Sequence, residues 1–84
     1  MKTVVLYTRD GCCLCDDARQ LLTDVLGRHP GSFSLQERDI DDDDRLHRRY
    51  LERIPVITID GQEAFELSVA RSELEQRLGI VETG

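Results

Sequence analysis

At 84 residues the chain is near the lower limit at which one apolar core holds a fold without metal or several disulfides, so one domain over residues 1–84 is expected. Its formal charge of -6, from 17 Asp and Glu against 11 Lys and Arg, repels phosphate backbones and anionic surfaces, which argues against nucleic acid or a membrane as partner. All three cysteines lie between Cys12 and Cys15 and cannot staple distant segments, which points to a pair cycling in a reducing compartment rather than a secreted scaffold.

The opening Met1-Lys2 leads straight into a strand-like run instead of a signal peptide, and no apolar stretch approaches spanning length; the cytoplasm is the expected location. Thr3 to Tyr7 is β-branched and aromatic and predicts a buried strand, broken by the turn residues Thr8-Arg9-Asp10-Gly11. Cys12 and Cys15 follow, at the start of a helix-patterned stretch. The N–H groups and positive dipole end of a helix favour a thiolate over a thiol, and the thiolate is the species that attacks a disulfide. Cys12 is therefore the candidate nucleophile. Cys15, less than one turn further on, is the candidate resolving thiol. Cys13 reads as a bystander, because a bridge between adjacent cysteines closes a strained ring. Leu14, Ala18, Leu21, Leu22, Val25 and Leu26 recur at helical spacing until Gly27 stops the helix.

Arg28-His29-Pro30-Gly31 predicts a turn, and Phe33, Leu35 and Arg38 to Ile40 fall around a second strand. Asp41-Asp42-Asp43-Asp44 reads as a solvated loop or helix start, lacking the alternating ligands and turn glycine of a calcium loop. Any of these aspartates is placed to cap a second helix carrying Leu46, Tyr50 and Leu51 inward, with His47 on its flank. Pro55 cannot continue that helix, and Val56-Ile57-Thr58-Ile59 begins a third strand. Asp60-Gly61 is a hairpin signal, so Gln62 to Leu67 should pair back as a fourth strand. Ser72-Glu73-Leu74-Glu75 resembles a capping box, and Leu74 with Leu78 gives a last helix ended by Gly79, with a start as early as Val69. The order β-α-β-α-β-β-α predicts an α/β fold. Strands separated by helices should pair in parallel and the hairpin adds one antiparallel pair, giving a four-stranded mixed sheet with helices on both faces.

Leu6-Tyr7-Thr8-Arg9 before Cys12-Cys13-Leu14-Cys15-Asp16, together with Tyr50, Arg53-Ile54-Pro55-Val56 and Ile59-Asp60-Gly61, resembles the thioredoxin fold, and within it the glutaredoxin-like group of small bacterial proteins. The resemblance covers nearly the whole chain. It implies that Pro55 is cis and lies against the thiols, and that the backbone of Ile54 is left to pair with an incoming peptide. It also implies that Arg9, three positions before Cys12, favours the thiolate and attracts a substrate carboxylate, opposed by Asp10, Asp16 and Asp17. Two features depart from the group. Cys13 stands where proline is common, and Glu66-Leu67-Ser68-Val69-Ala70-Arg71 replaces the Gly-Gly turn and acidic residue that hold glutathione.

The expected activity is therefore thiol-disulfide exchange: Cys12 attacks a protein or small-molecule disulfide, Cys15 resolves the mixed disulfide, and an external reductant restores the dithiol. That reductant is either glutathione, as a co-substrate, or a thioredoxin-reductase-type enzyme; no bound cofactor and a monomer are expected. The alternative is a copper or zinc carrier, or an iron–sulfur redoxin, using the same cysteines. Metal chaperones with CxxC after a first strand run β-α-β-β-α-β, a different order, and a four-ligand cluster would need a partner chain.

Overall fold

The structure is a computed structural model that describes residues 2–29 and 31–79. Pro30, within the expected turn Arg28-His29-Pro30-Gly31, lies outside the described residues. The elements are β1 (Lys2–Thr8), α1 (Cys13–Gly27), β2 (Phe33–Asp39), a 3-10 turn (Ile40–Asp42), α2 (Asp44–Tyr50), β3 (Val56–Ile59), β4 (Gln62–Glu66) and α3 (Arg71–Leu78). The four strands form one sheet in the order β2-β1-β3-β4.

Alternation along the strands sorts the core onto two faces. Val4 and Leu6 of β1 with Ile57 and Ile59 of β3 pack against Ala18, Leu22, Val25 and Leu26 of α1 and Leu74 and Leu78 of α3. On the other face Val56 packs with Ile40 and Tyr50, flanked by Tyr7, Leu46 and Ile54. All four β3 residues are buried, as expected of an interior strand with both faces covered. No described helix is long and apolar enough to cross a membrane.

Strand direction differs in one respect from the sequence expectation. β1 and β2 are parallel across a helix, but β3 runs antiparallel to β1, with Tyr7 opposite Val56. The length of α2 explains this. Seven helical residues advance about 10 Å, whereas the seven residues of β2 span about 23 Å, so α2 cannot carry the chain back to the far end of the sheet. β3 therefore starts at the end where β2 stops. This places Pro55 beside Thr8, next to the loop that carries the cysteines.

Three further expectations are corrected. Leu14 is exposed because the inward stripe of α1 begins at Cys15 and continues through Ala18 and Leu22, leaving Leu14 off the line. Leu51 is exposed for a similar reason: α2 ends at Tyr50, and Leu46 with Tyr50, four apart, already occupy the inward face. The Ser72 capping box does not form. α3 is capped at Ala70 without a side-chain bond, and Ser72 lies inside the first turn. Burial of Leu74 and Leu78 and the ion pair of Arg71 with Asp24 on α1 fix that register over the local preference. The hairpin follows its signal, with Asp60 at φ 52° and Gly61 at φ 85°. Asp60 also ties the turn to β1, its Oδ1 accepting from the Thr3 N–H at 2.9 Å.

Candidate redox site

β1 ends at Thr8, and the turn through Asp10 and Gly11, the latter at φ 79°, reverses the chain into α1. Glycine meets that positive φ without a Cβ clash. Cys12 is the N-cap of α1 in an extended conformation, and its Sγ accepts from the backbone N–H of Cys15 at 3.2 Å. This is the place a serine or aspartate oxygen takes at an ordinary helix start. Cys12 is half-buried and Cys15 is 1% exposed. The two are bridged, with their Cα atoms 5.2 Å apart, while Cys13 is unbridged and exposed.

The Ile54–Pro55 peptide bond is cis, and Pro55 is buried. Ile54 is half-buried; its N–H donates to Tyr50 O at 3.0 Å, so of the two backbone groups expected to meet an incoming peptide only the carbonyl has no partner among the described residues. The amide of Leu67 donates to both Arg53 O and Pro55 O at 3.0 Å, joining the end of β4 to this loop.

Arg9 is exposed, and its Nε donates to Asp41 Oδ2 at 3.0 Å, while Asp41 Oδ1 lies 3.5 Å from His47 Nε2. The cation expected to serve the thiolate is thus shared with the aspartate run. Sequence reasoning missed this pairing, because nothing in a run of four aspartates tells which one faces a residue 32 positions away. It also missed a network on the α2 side. Glu63 accepts from Arg49 at 2.9 Å, from Arg53, and from the Tyr50 hydroxyl at 3.4 Å, and Arg53 also donates to Glu66 at 2.8 Å. Arg53 and Arg49 beside it hold the Glu63 carboxyl below its ordinary value. Burial, then the Glu63 charge, push the Tyr50 phenol up. Both guanidinium groups lie 5.5 Å from the centroid of the Tyr50 ring, which is 4.7 Å from that of Tyr7.

One buried polar atom, Thr8 Oγ1, has no hydrogen-bond partner among the described residues. Among those residues no cluster of three His, Cys, Asp or Glu side chains is arranged to hold a metal ion.

A family model described as the glutaredoxin-like domain (DUF836) matches residues 3–79. The chain belongs to the glutaredoxin-like family. Two solved structures have the same fold. Protein XcR50 from X. campestris, solved by X-ray crystallography, is 30% identical with a TM-score of 0.74, over 94% of this chain and 99% of that one. Protein Ne2328 from Nitrosomonas europaea, solved by NMR in solution, is 24% identical with a TM-score of 0.75, over 90% of this chain and 89% of that one. Membership of the glutaredoxin-like family, together with the Cys12–Cys15 pair at a helix start, supports a redox role.

Proposed function

We propose that this glutaredoxin-like chain is a thiol-disulfide oxidoreductase. The observation that carries the reading is the position of Cys12 Sγ as the helix cap, accepting the Cys15 N–H, with Cys15 buried beneath it. In the reduced protein that donor and the helix N-terminus favour the Cys12 thiolate over the thiol. Cys12 attacks one sulfur of a substrate disulfide and the other sulfur leaves as a thiolate. Cys15, held within bridging distance, then attacks Cys12 and releases the rest of the substrate as a second thiol. Two electrons pass from the dithiol to the substrate, and an external thiol or dithiol reductant restores Cys12 and Cys15.

Ile54 and Pro55 serve substrate binding in this reading. The register of β3 against β1 brings Pro55 to the sheet end from which the cysteine loop departs, and the Ile54 carbonyl is available to accept from the N–H of an extended substrate segment. Arg9 contributes less than a free cation would, because Asp41 already shares its charge. The reductant is either glutathione or a thioredoxin-reductase-type enzyme, and a reducing compartment such as the cytoplasm keeps the cycle turning.

The test is a single turnover. Reduced protein mixed with bis(2-hydroxyethyl) disulfide is expected to consume one equivalent and to return a Cys12–Cys15 bridge on peptide mapping, with Cys13 still alkylatable. Protein that keeps all three thiols under excess disulfide contradicts the reading.

A further inference from the structure

Leu67 sits at φ 68°, a backbone conformation that leucine rarely adopts, and its side chain is 49% exposed. The doubled hydrogen bond from its amide to Arg53 O and Pro55 O holds it there. Leu14, between Cys12 and Cys15, is 54% exposed. The two leucines line one cavity of about 180 Å³ together with Asp17, Ala18, Ser68 and Val69. That space is comparable to the roughly 150 Å³ apolar cavity that accepts a benzene-sized guest, so it takes one apolar side chain. It is well below the roughly 300–1,000 Å³ of sites that enclose a whole small molecule. An exposed leucine is ordinary singly, but two facing one cavity beside a reactive disulfide mark a binding surface.

The charge around this surface selects further. Asp10, Asp16 and Asp17 are all exposed around the motif, and Asp10 and Asp17 have no cationic partner among the described residues. Arg9, the nearest cation in the sequence, is shared with Asp41. Anionic substrates are therefore repelled and cationic ones attracted.

Resting on the thiol-disulfide reading above, we infer that the substrate is a disulfide-bearing protein segment. Its cysteine is flanked by one apolar side chain, seated between Leu14 and Leu67, and by basic residues facing Asp10 and Asp17. The cavity is tied to the redox pair through its walls, since Leu14 lies between Cys12 and Cys15 in the chain and the Leu67 amide donates to Pro55 O. Glutathione disulfide, an anion at neutral pH without a large apolar side chain, meets neither requirement.

The inference is tested on single turnovers of the full chain, reduced and freed of reductant. The peptides Arg-Leu-Cys-Arg and Glu-Ser-Cys-Glu, each linked by a disulfide to 2-mercaptoethanol, are compared with glutathione disulfide and bis(2-hydroxyethyl) disulfide. In each turnover the protein dithiol becomes the Cys12–Cys15 disulfide and the substrate disulfide becomes two thiols, so no further reductant is needed. The Arg-Leu peptide is expected to react at least about tenfold faster than the Glu-Ser peptide and glutathione disulfide, the scale of discrimination one apolar pocket supplies. That ratio is expected to fall several-fold in Leu67→Asn, a substitution that tolerates the left-handed backbone, leaving only the preference due to Asp10 and Asp17. Leu14→Gln, at an exposed helix position, gives the same readout should Leu67→Asn fail to fold. Equal rates for the two peptides, faster reaction of glutathione disulfide, or a ratio retained in the folded variants would overturn the inference while leaving the redox reading standing. So would a concentration-dependent dimer lost in the variants, which would seat a second copy of the chain in the cavity. Failure to react with any disulfide, bis(2-hydroxyethyl) disulfide included, overturns both.

Discussion

The backbone N–H of Cys15 donates to Cys12 Sγ at 3.2 Å, so the proposed resolving residue also supplies a hydrogen bond to the proposed nucleophile. Geometry that makes Cys12 a helix cap also makes its thiolate the better acceptor, and the same turn places the Cys15 sulfur within bridging reach. The proposed nucleophile and resolver are thus positioned by one helical turn rather than by distant parts of the fold.

The first prediction follows from this cap. The Cys12 thiol should ionise below the ordinary thiol value of about 8.5, with Asp10, Asp16 and Asp17 limiting the depression. The rate of alkylation of the reduced protein as a function of pH measures it, with Cys12 read out separately by peptide mapping. Cys12 should be modified faster than buried Cys15 at neutral pH. An unshifted midpoint for Cys12, or faster labelling of Cys15, would go against the assignment of roles.

Thr8 offers a prediction on stability. Its residue is 7% exposed and its hydroxyl oxygen is buried without a partner among the described residues. A buried hydroxyl left unpaired costs about 1–3 kcal/mol. Thr8→Val keeps the shape and β-branching of the strand residue while removing the hydroxyl, so the variant should be more stable by about 1 kcal/mol. Urea denaturation at neutral pH checks it. A midpoint lowered by the substitution would mean that the hydroxyl has a partner in solution.

Glu63 gives a pH dependence. Its folded-state value lies below the ordinary 4.5 because Arg53 and Arg49 favour the carboxylate. A depressed carboxyl value stabilises the folded state above the unfolded value and ceases to do so as pH falls through the folded one. The stability difference between the natural chain and Glu63→Gln should therefore be level from pH 7 to about 5 and shrink as pH drops below about 4.5. Since the network is solvent-exposed, the difference should also shrink with added salt. A difference that grows toward low pH would contradict the assignment of the charge to Glu63.

Much of this fold is legible in the chain because its signals are local. Asp60-Gly61 specifies its hairpin through positive φ, Pro55 ends the second helical segment, and the 18-22-25-26 spacing marks the buried stripe of α1. Cys12 and Cys15 are equally visible, since a CxxC at a strand-to-helix junction needs only short-range pattern. What stayed hidden depends on long-range placement. The antiparallel direction of β3 follows from the brevity of α2 relative to the strands. The Arg9–Asp41 pairing, the Glu63 network and the backbone of Leu67 each depend on segments that meet only after the sheet has formed. Ser72 shows the converse. A good local capping signal lost to the burial of Leu74 and Leu78.

The most direct test of the account compares two single variants with one disulfide substrate. Cys15→Ser, reduced and mixed with bis(2-hydroxyethyl) disulfide, should stop at a stable mixed disulfide on Cys12, isolable as an adduct by intact mass and mapped to that residue. Cys12→Ser should form no such adduct on Cys15, which is buried, and should lose disulfide reductase activity, because exposed Cys13 does not take over the role of the helix-capping thiol. The account predicts this asymmetry. An adduct on Cys13 or Cys15 in place of Cys12, or activity retained by Cys12→Ser, would contradict the central claim that Cys12 is the nucleophile.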